Sequence, residues 1–512
     1  MRRSRVAAFG LAATLALSAA ACGHAAKHHQ GAQALLVCNA STSPCPKETK
    51  FATIQSAVNA AHPGDWVLVW PGIYHEKADG SAGVRISTPN IHLRGLDRNL
   101  VVVDGSKGGT ATPCPAAAGA QDTTPRDGIL VANAGGVSID NLTVCNYLSD
   151  AHLKHGNEVW WNGGDGTGHI GMTGYAGSYL STTSTYVGTP GVTGAGQYGV
   201  FVSNAVGPGR ISYSYAANMA DSGFYLGACR NVCGAVLDHV HGTNSALGFS
   251  GTNAGGYAIR NSEFDRNRAG VVPNSLNNDD APPPQNGSCP NDPAKSCTFI
   301  EDNFVHDNNN PNAPASDLAA AIGAGIELSG GQFDTVRNNH ISNQGSWGVV
   351  IHDYPDDSKP PAVAHCEGGI KVPGLCLFAA KGNLVTGNTF TATGFFGNPT
   401  NGDLASQAGA TPHNCFSANH DTGAKLTSDP ATIALMNATP CAGDGIGDSR
   451  ALVGQLECAA DPASCAVAGS HYPKHTRTVA VPLTHQQTMP EPCQGTPASA
   501  FCGSQRYSGP HS

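Results

Sequence analysis

The sequence predicts an all-β solenoid: one stack of short parallel strands, with a capping helix at its start and a cysteine-rich extension at its end. Three observations carry this. The first is a repeat of Gly-apolar-x-apolar starts at Gly128, Gly199, Gly223, Gly248, Gly270, Gly325 and Gly348. From Gly199 onward the starts lie 24, 25, 22, 55 and 23 residues apart. Steps of this size match one coil of a parallel β-helix, and the long step reads as a coil or two with an inserted loop. The second is a half-repeat of apolar residues spaced around a polar pair: Ile139 and Val144, Ile259 and Phe264, Ile300 and Val305, Val336 and Ile341, Val385 and Phe390. The third is composition. Charged residues are 13% of 512, with 64 Gly and 33 Pro, which suits many short strands joined by tight turns rather than helices.

The elements follow in order. Residues 1–22 read as a signal peptide: Arg2, Arg3 and Arg5 precede an apolar run that is too short to span a bilayer. The run ends at Ala19-Ala20-Ala21-Cys22-Gly23, which resembles a bacterial lipoprotein cleavage site, although such sites usually carry Leu where Ala19 stands. The resemblance implies a lipid on Cys22; ordinary cleavage would instead release a soluble chain. Residues 23–50 read as a tether, 51–404 as the solenoid and 405–512 as an extension that covers the last coil or lies along the side.

The solenoid opens with an amphipathic run, Ile54, Ala57, Val58 and Ala61, ended by Pro63-Gly64-Asp65. A strand with Val67 and Val69 and a Pro71-Gly72 turn follow. The open end of a strand stack exposes apolar interior and unpaired backbone, so a helix is expected to cover it. Thr53-Ile54-Gln55, Pro63-Gly64-Asp65, Pro71-Gly72, Tyr74 and Leu93-Arg94-Gly95 together resemble the opening of the pectin-lyase-like right-handed parallel β-helix superfamily. That resemblance implies the fold over about 350 residues and no particular activity. Asn303, Asn339 and Asn388 recur at one place in the half-repeat. They are expected at stacked turns, where Asn tolerates left-handed backbone and forms a ladder.

There are 17 cysteines. With Cys22 set aside the rest can pair in an exported chain. Connectivity is open, and nearest neighbours would give Cys38–Cys45, Cys114–Cys145, Cys229–Cys233, Cys289–Cys297, Cys366–Cys376, Cys415–Cys441, Cys458–Cys465 and Cys493–Cys502. No pair of C-x-x-C motifs exists, so no metal and no cofactor is read. Net charge is −9 without a basic cluster, which argues against nucleic acid. A monomer is expected, touching a membrane only through the lipid.

Two stretches, 147–197 and 274–317, break the rhythm and read as insertions; 353–380 is a third irregular stretch. Alternation along Gly-Ile-Glu-Leu turns Glu327 outward, in a row with Leu130, Phe201, Tyr225, Val272 and Val350. On this face β-helix enzymes commonly bind polysaccharide, and Glu327 is its only carboxylate. His352 and Asp353 fall on the adjacent coil, so Glu327, His352 and Asp353 are the candidate acid–base group, although Asp353 also reads as a turn residue. Tyr225, Trp160 and Trp161 are candidate sugar-stacking residues, with at most one of the adjacent tryptophans free. Asp279 and Asp280 are candidate loop ligands or acids. Asp238, His239 and His241 read as turn and ladder packing, and Asp265, Arg266 and Arg268 as surface charges. Calcium-lyase, pectinesterase and polygalacturonase signatures are missing. Two functions fit: an exported enzyme acting on an extracellular polysaccharide or envelope glycan by lysis, hydrolysis or epimerisation, and a non-catalytic glycan-binding or scaffold protein. The repeat also resembles the NosD-like group, which would imply a periplasmic maturation factor, but no copper-type Met/His/Cys cluster supports that.

Overall fold

The Gly-apolar-x-apolar starts and the half-repeats become strands of different sheets, and that division closes the coil. The computed structural model describes residues 31–109, 112–189, 191–229, 233–278, 283–314, 320–357, 365–408, 413–439 and 450–502. A first sheet of 12 strands runs from Ala34–Val37 to Cys415–Ser417. A second, of 11 strands, runs from Gly72–Tyr74 to His420–Asp421, and a third, also of 11, from Ala82–Ile86 to Ser428–Asp429. Neighbouring strands in all three pair in parallel. The fold is a single right-handed parallel β-helix. The third sheet carries the Gly-starts. Ile129, Val159, Val200, Phe224, Phe249, Val271, Ile326 and Val349 form one inward row along it, wholly within the core.

The stack is longer than its repeat suggests. Strand Ala34–Val37, in the stretch read as a tether, pairs with Trp66–Val69, and coils continue beyond residue 404 to Asp429. The stretch 147–197 is a full coil rather than a loop, with strands Asn157–Asn162, Met172–Ser178 and Ser181–Thr183 in the three sheets. It escapes the repeat because Glu158 stands in register with Gly128 and Gly199. Glu158 is buried, and loss of water pushes its carboxyl well above the ordinary range. The long step after Gly270 is one coil, since Ala269–Asn274 pairs directly with Ala324–Ser329. Its extra length includes the hairpin Ser288–Cys289 with Asp292–Ser296.

A ladder of side-chain amides ties the coils. Asn303 Nδ2 donates to Asn339 Oδ1 at 3.0 Å, Asn339 to Asn388 at 2.9 Å, and Asn388 to Asn419 at 2.9 Å. The left-handed backbone belongs to the residue before each ladder Asn: Asp302, Asn338, Gly387 and Ala418 have positive φ. The ladder amides instead bond backbone groups on neighbouring coils, such as Ile259 O and Ile300 O.

Both ends are covered. Helix α1, Ile54–Ala60, is capped by Thr53, whose hydroxyl accepts from Ser56 N at 3.2 Å. The Glu76 carboxylate accepts from Ile54 N and Gln55 N, at the positive end of the helix dipole. The Gln55 side chain exchanges two hydrogen bonds with the Arg85 backbone, so α1 blunts the edge of the third sheet. Helix α2, Thr432–Ala438, closes the other end with Ile433 and Met436 in the core, and Asn437 ends the amide ladder on Asn419. Helix α3, Arg450–Ala460, lies against the side of the stack. The chain then runs back along the solenoid to its first coils. Val479, Val481, Gln486 and Met489 bond Asn312, Asn218, Asn99 and Asn141, and Phe501 packs on Trp70.

Disulfides join Cys38–Cys45, Cys114–Cys145, Cys229–Cys233, Cys289–Cys297, Cys366–Cys376, Cys458–Cys465 and Cys493–Cys502. Cys415 is disulfide-bonded. Cys22 and Cys441 lie outside the described residues.

Candidate functional site

The outward row of the third sheet divides into two parts. At one end Trp160, Phe201 and Tyr225 stand in register on successive coils. Trp160 stacks on Phe201 at 4.9 Å between ring centres, and Phe201 meets Tyr225 edge-on at 4.7 Å. Gly227 makes room for Tyr225, because a Cβ there would fall 2.3 Å from its hydroxyl. Trp161 points the other way. It is fully buried in the core, with its indole N–H donated to Val137 O, so it is no sugar-stacking residue.

At the other end the row, apart from Glu327 and the terminal Asp429, is small and apolar where α3 covers it. Leu452, Cys458 and Ala459 pack on Val272, Val350 and Ala405, with Trp347 and Tyr472 beside them. Arg268 secures this contact. It is buried, and its guanidinium donates to Ala320 O and to Ala459 O in the last turn of α3, each at 3.1 Å. A cation there complements the helix dipole and also faces the Glu327 charge. Arg268 is therefore a buried clamp and not a surface charge. Arg268→Ala is expected to cost about 1–3 kcal/mol, because Ala320 O loses a buried donor while Ala459 O keeps its bond from Ile322 N. Native-state hydrogen exchange should show lost protection in α3 first; unchanged protection there would contradict the clamp.

Between α3, the third sheet and strand Tyr354–Asp356, which pairs antiparallel with Leu375–Phe378 where a turn was expected, lies a cavity of about 350 Å³. Glu327, His352 and Asp353 all line it, together with Gln407, Leu456 and Glu457. Strand alternation sets Glu327 and His352 diagonally on neighbouring strands. Glu327 Oε1 lies 3.1 Å from His352 Nε2, and Glu327 Oε2 accepts from Ala321 N. His352 Nδ1 lies 3.0 Å from the Asp353 carbonyl oxygen, which can only accept, so Nδ1 carries a proton. The proton between Nε2 and Oε1 is the one that can move. Burial pushes the imidazole pKa down, but the hydrogen bond and charge of Glu327 outweigh it, and the net shift is upward. The raised pKa contributes stability that is complete below the unfolded value and is lost as pH rises through the folded one. Asp353 accepts from Ala380 N at 2.8 Å, which fixes its carboxylate at the wall.

Asp279 and Asp280 lie outside the described residues. Sequence reading missed Arg268, Gln407 and Glu457. The signal for α3 was present as Leu452, Leu456 and Ala459-Ala460 at helical spacing, but nothing local marks Arg268 as bonding α3 or Gln407 as facing the cavity.

No family model matches the chain, and no curated protein matches it. Among solved structures it is similar to the A-module of a mannuronan C-5 epimerase from Azotobacter vinelandii, at 13% identity and TM-score 0.37, covering 72% of this chain and 88% of that one. It is also similar to an alginate lyase from Paenibacillus, at 13% identity and TM-score 0.33, covering 77% and 97%. A third is a lacto-N-biosidase from Eubacterium ramulus, at 12% identity and TM-score 0.42, covering 77% and 68%. At such identities the likeness is one of fold, the parallel β-helix that the strand pairing itself displays.

Proposed function

We propose that this chain is an exported enzyme that acts on a terminal unit of an extracellular glycan by proton transfer at the Glu327–His352 pair. The observation that carries the reading is the enclosure of that pair in a cavity of about 350 Å³ beneath α3. A buried carboxylate–imidazole pair holds one mobile proton at fixed geometry, which general acid–base chemistry requires. Asp353, tied to a backbone amide, is kept for orientation. That favours proton abstraction, as in lysis or epimerisation, over a hydrolysis that needs two free carboxylates.

The rest of the row supports a glycan as the partner. Tyr225 stands three coils before Glu327, roughly 14 Å along the stack. The Trp160–Phe201–Tyr225 stack, its Phe201 face shared with Tyr198, would meet a glycan with its outer ring edges on the way to the cavity, where Gln407 and Glu457 meet hydroxyls. The disulfides support export, whether the chain is held by a lipid on Cys22 or released. A cavity roofed by a helix suits a chain end better than a chain interior. The stacked aromatics favour a second reading, a glycan binder without turnover.

Purified chain would be screened against uronate-containing and neutral glycans, following reducing ends, the ultraviolet absorbance of unsaturated uronates and, for epimerisation, deuterium uptake from solvent at the sugar carbons, with Glu327→Gln alongside. The enzyme reading expects turnover of one class, lost in the variant. Binding of a glycan that is never turned over would establish the second reading instead.

A further inference from the structure

The second sheet carries a cluster on its outward face that the proposed chemistry does not use. Strands His241–Thr243, Glu263–Asp265 and Phe304–His306 are consecutive neighbours, with His241 opposite Glu263 and Asp265 opposite His306. Phe264 and Val305 fill the core from the same strands, so the flanking residues point out. Two imidazoles thus stand at diagonal corners around two carboxylates. Each reaches across the diagonal: His241 Nε2 lies 2.8 Å from Asp265 Oδ1, and His306 Nε2 lies 3.0 Å from Glu263 Oε1. One ligand atom from each of His241, Glu263 and Asp265 falls within 4.8 Å of the others.

We propose that His241, Glu263, Asp265 and His306 form a site for a first-row divalent cation, Zn²⁺ foremost. Two imidazoles and two carboxylates are a ligand set that suits Zn²⁺ and supplies charge to balance it. Tetrahedral bonds of about 2.0–2.1 Å place ligand atoms roughly 3.3 Å apart; the two diagonal contacts, at 2.8 and 3.0 Å, lie near that spacing, and His306, outside the close group of the other three, would move in from its contact with Glu263 to complete the set. The ion would replace the protons now shared across the diagonals. The outer contacts fit as well. His306 Nδ1 lies 2.7 Å from Asp307 Oδ2, the carboxylate–histidine arrangement that turns Nε2 toward a metal. Arg266 Nε lies 2.9 Å from Asp265 Oδ2, which leaves Oδ1 as the ligand. Three strands of one rigid sheet hold the groups in place, and the ion would tie three successive coils. No local motif announces the site, because its ligands come from three coils that meet only in the fold.

The test is calorimetric titration of the chelator-treated full chain with ZnCl₂. Wild type is expected to bind one ion that is lost, or weakened at least tenfold, in His241→Ala, His306→Ala and Glu263→Gln. Asp307→Asn, a positioning change, should weaken it about 10–100-fold. His340→Ala, one coil further on the same face, should leave it unchanged. Circular dichroism verifies folding of each variant, and Glu263→Gln, nearly isosteric, decides the matter if an alanine variant unfolds. Absence of Zn²⁺ binding in wild type, or binding that Glu263→Gln leaves intact, would overturn the proposal.

Discussion

Trp161→Ala is expected to destabilise the protein by about 3–5 kcal/mol, the range for removing a fully buried Trp. The indole lies in the core of the coil formed by Asn157–Asn162, Met172–Ser178 and Ser181–Thr183. It reaches over Gly177, where a Cβ would come within 2.9 Å of its ring, and donates to Val137 O on the preceding coil. Truncation leaves a cavity and removes the indole's bond to Val137 O. A solenoid can open coil by coil, so the loss should be read locally, as reduced hydrogen-exchange protection across residues 157–183. Glycan binding should change only through this loosening. Unchanged protection there would contradict the placement of Trp161 in the core.

Glu327→Gln is expected to lower turnover by roughly 10²–10⁴, the usual contribution of one general acid–base group. The substitution keeps the shape and the acceptor for Ala321 N but removes the group that exchanges a proton with His352. It also removes the anion facing Arg268, so folding must be verified beside the rate. A folded variant with retained glycan affinity and lost turnover is the expected outcome. A folded variant with full turnover would move the chemistry away from the cavity.

Much of the fold was legible because it is repetitive. Ile129, Val200, Phe224, Ile326 and Val349 follow one Gly-apolar start, and a period that recurs along the chain leaves one inward row as its solution. The coil at 157–183 was not legible because its start carries Glu158 where the repeat has Gly. A buried acid at that place follows no local rule, since only the surrounding coils make it tolerable. The amide ladder was legible as a ladder. Its left-handed residues were misplaced by one, because the Asn side chain that bonds across coils and the backbone that turns are different residues. The apolar outward row was visible, but its meaning was not. Val272, Val350 and Ala405 are apolar because α3, from a distant part of the chain, lies on them. For the same reason the pairing of Glu327 with His352 was legible from adjacent coils, whereas the roof over it and the Arg268 clamp were not.

The most direct test of the account is an NMR titration of the His352 ring in wild type and in Glu327→Gln, with and without the glycan selected by screening. The account predicts a wild-type pKa above the ordinary histidine value, a fall in Glu327→Gln, and a further perturbation when the glycan is added. A ring that titrates at the ordinary value and ignores both the substitution and the glycan would contradict it.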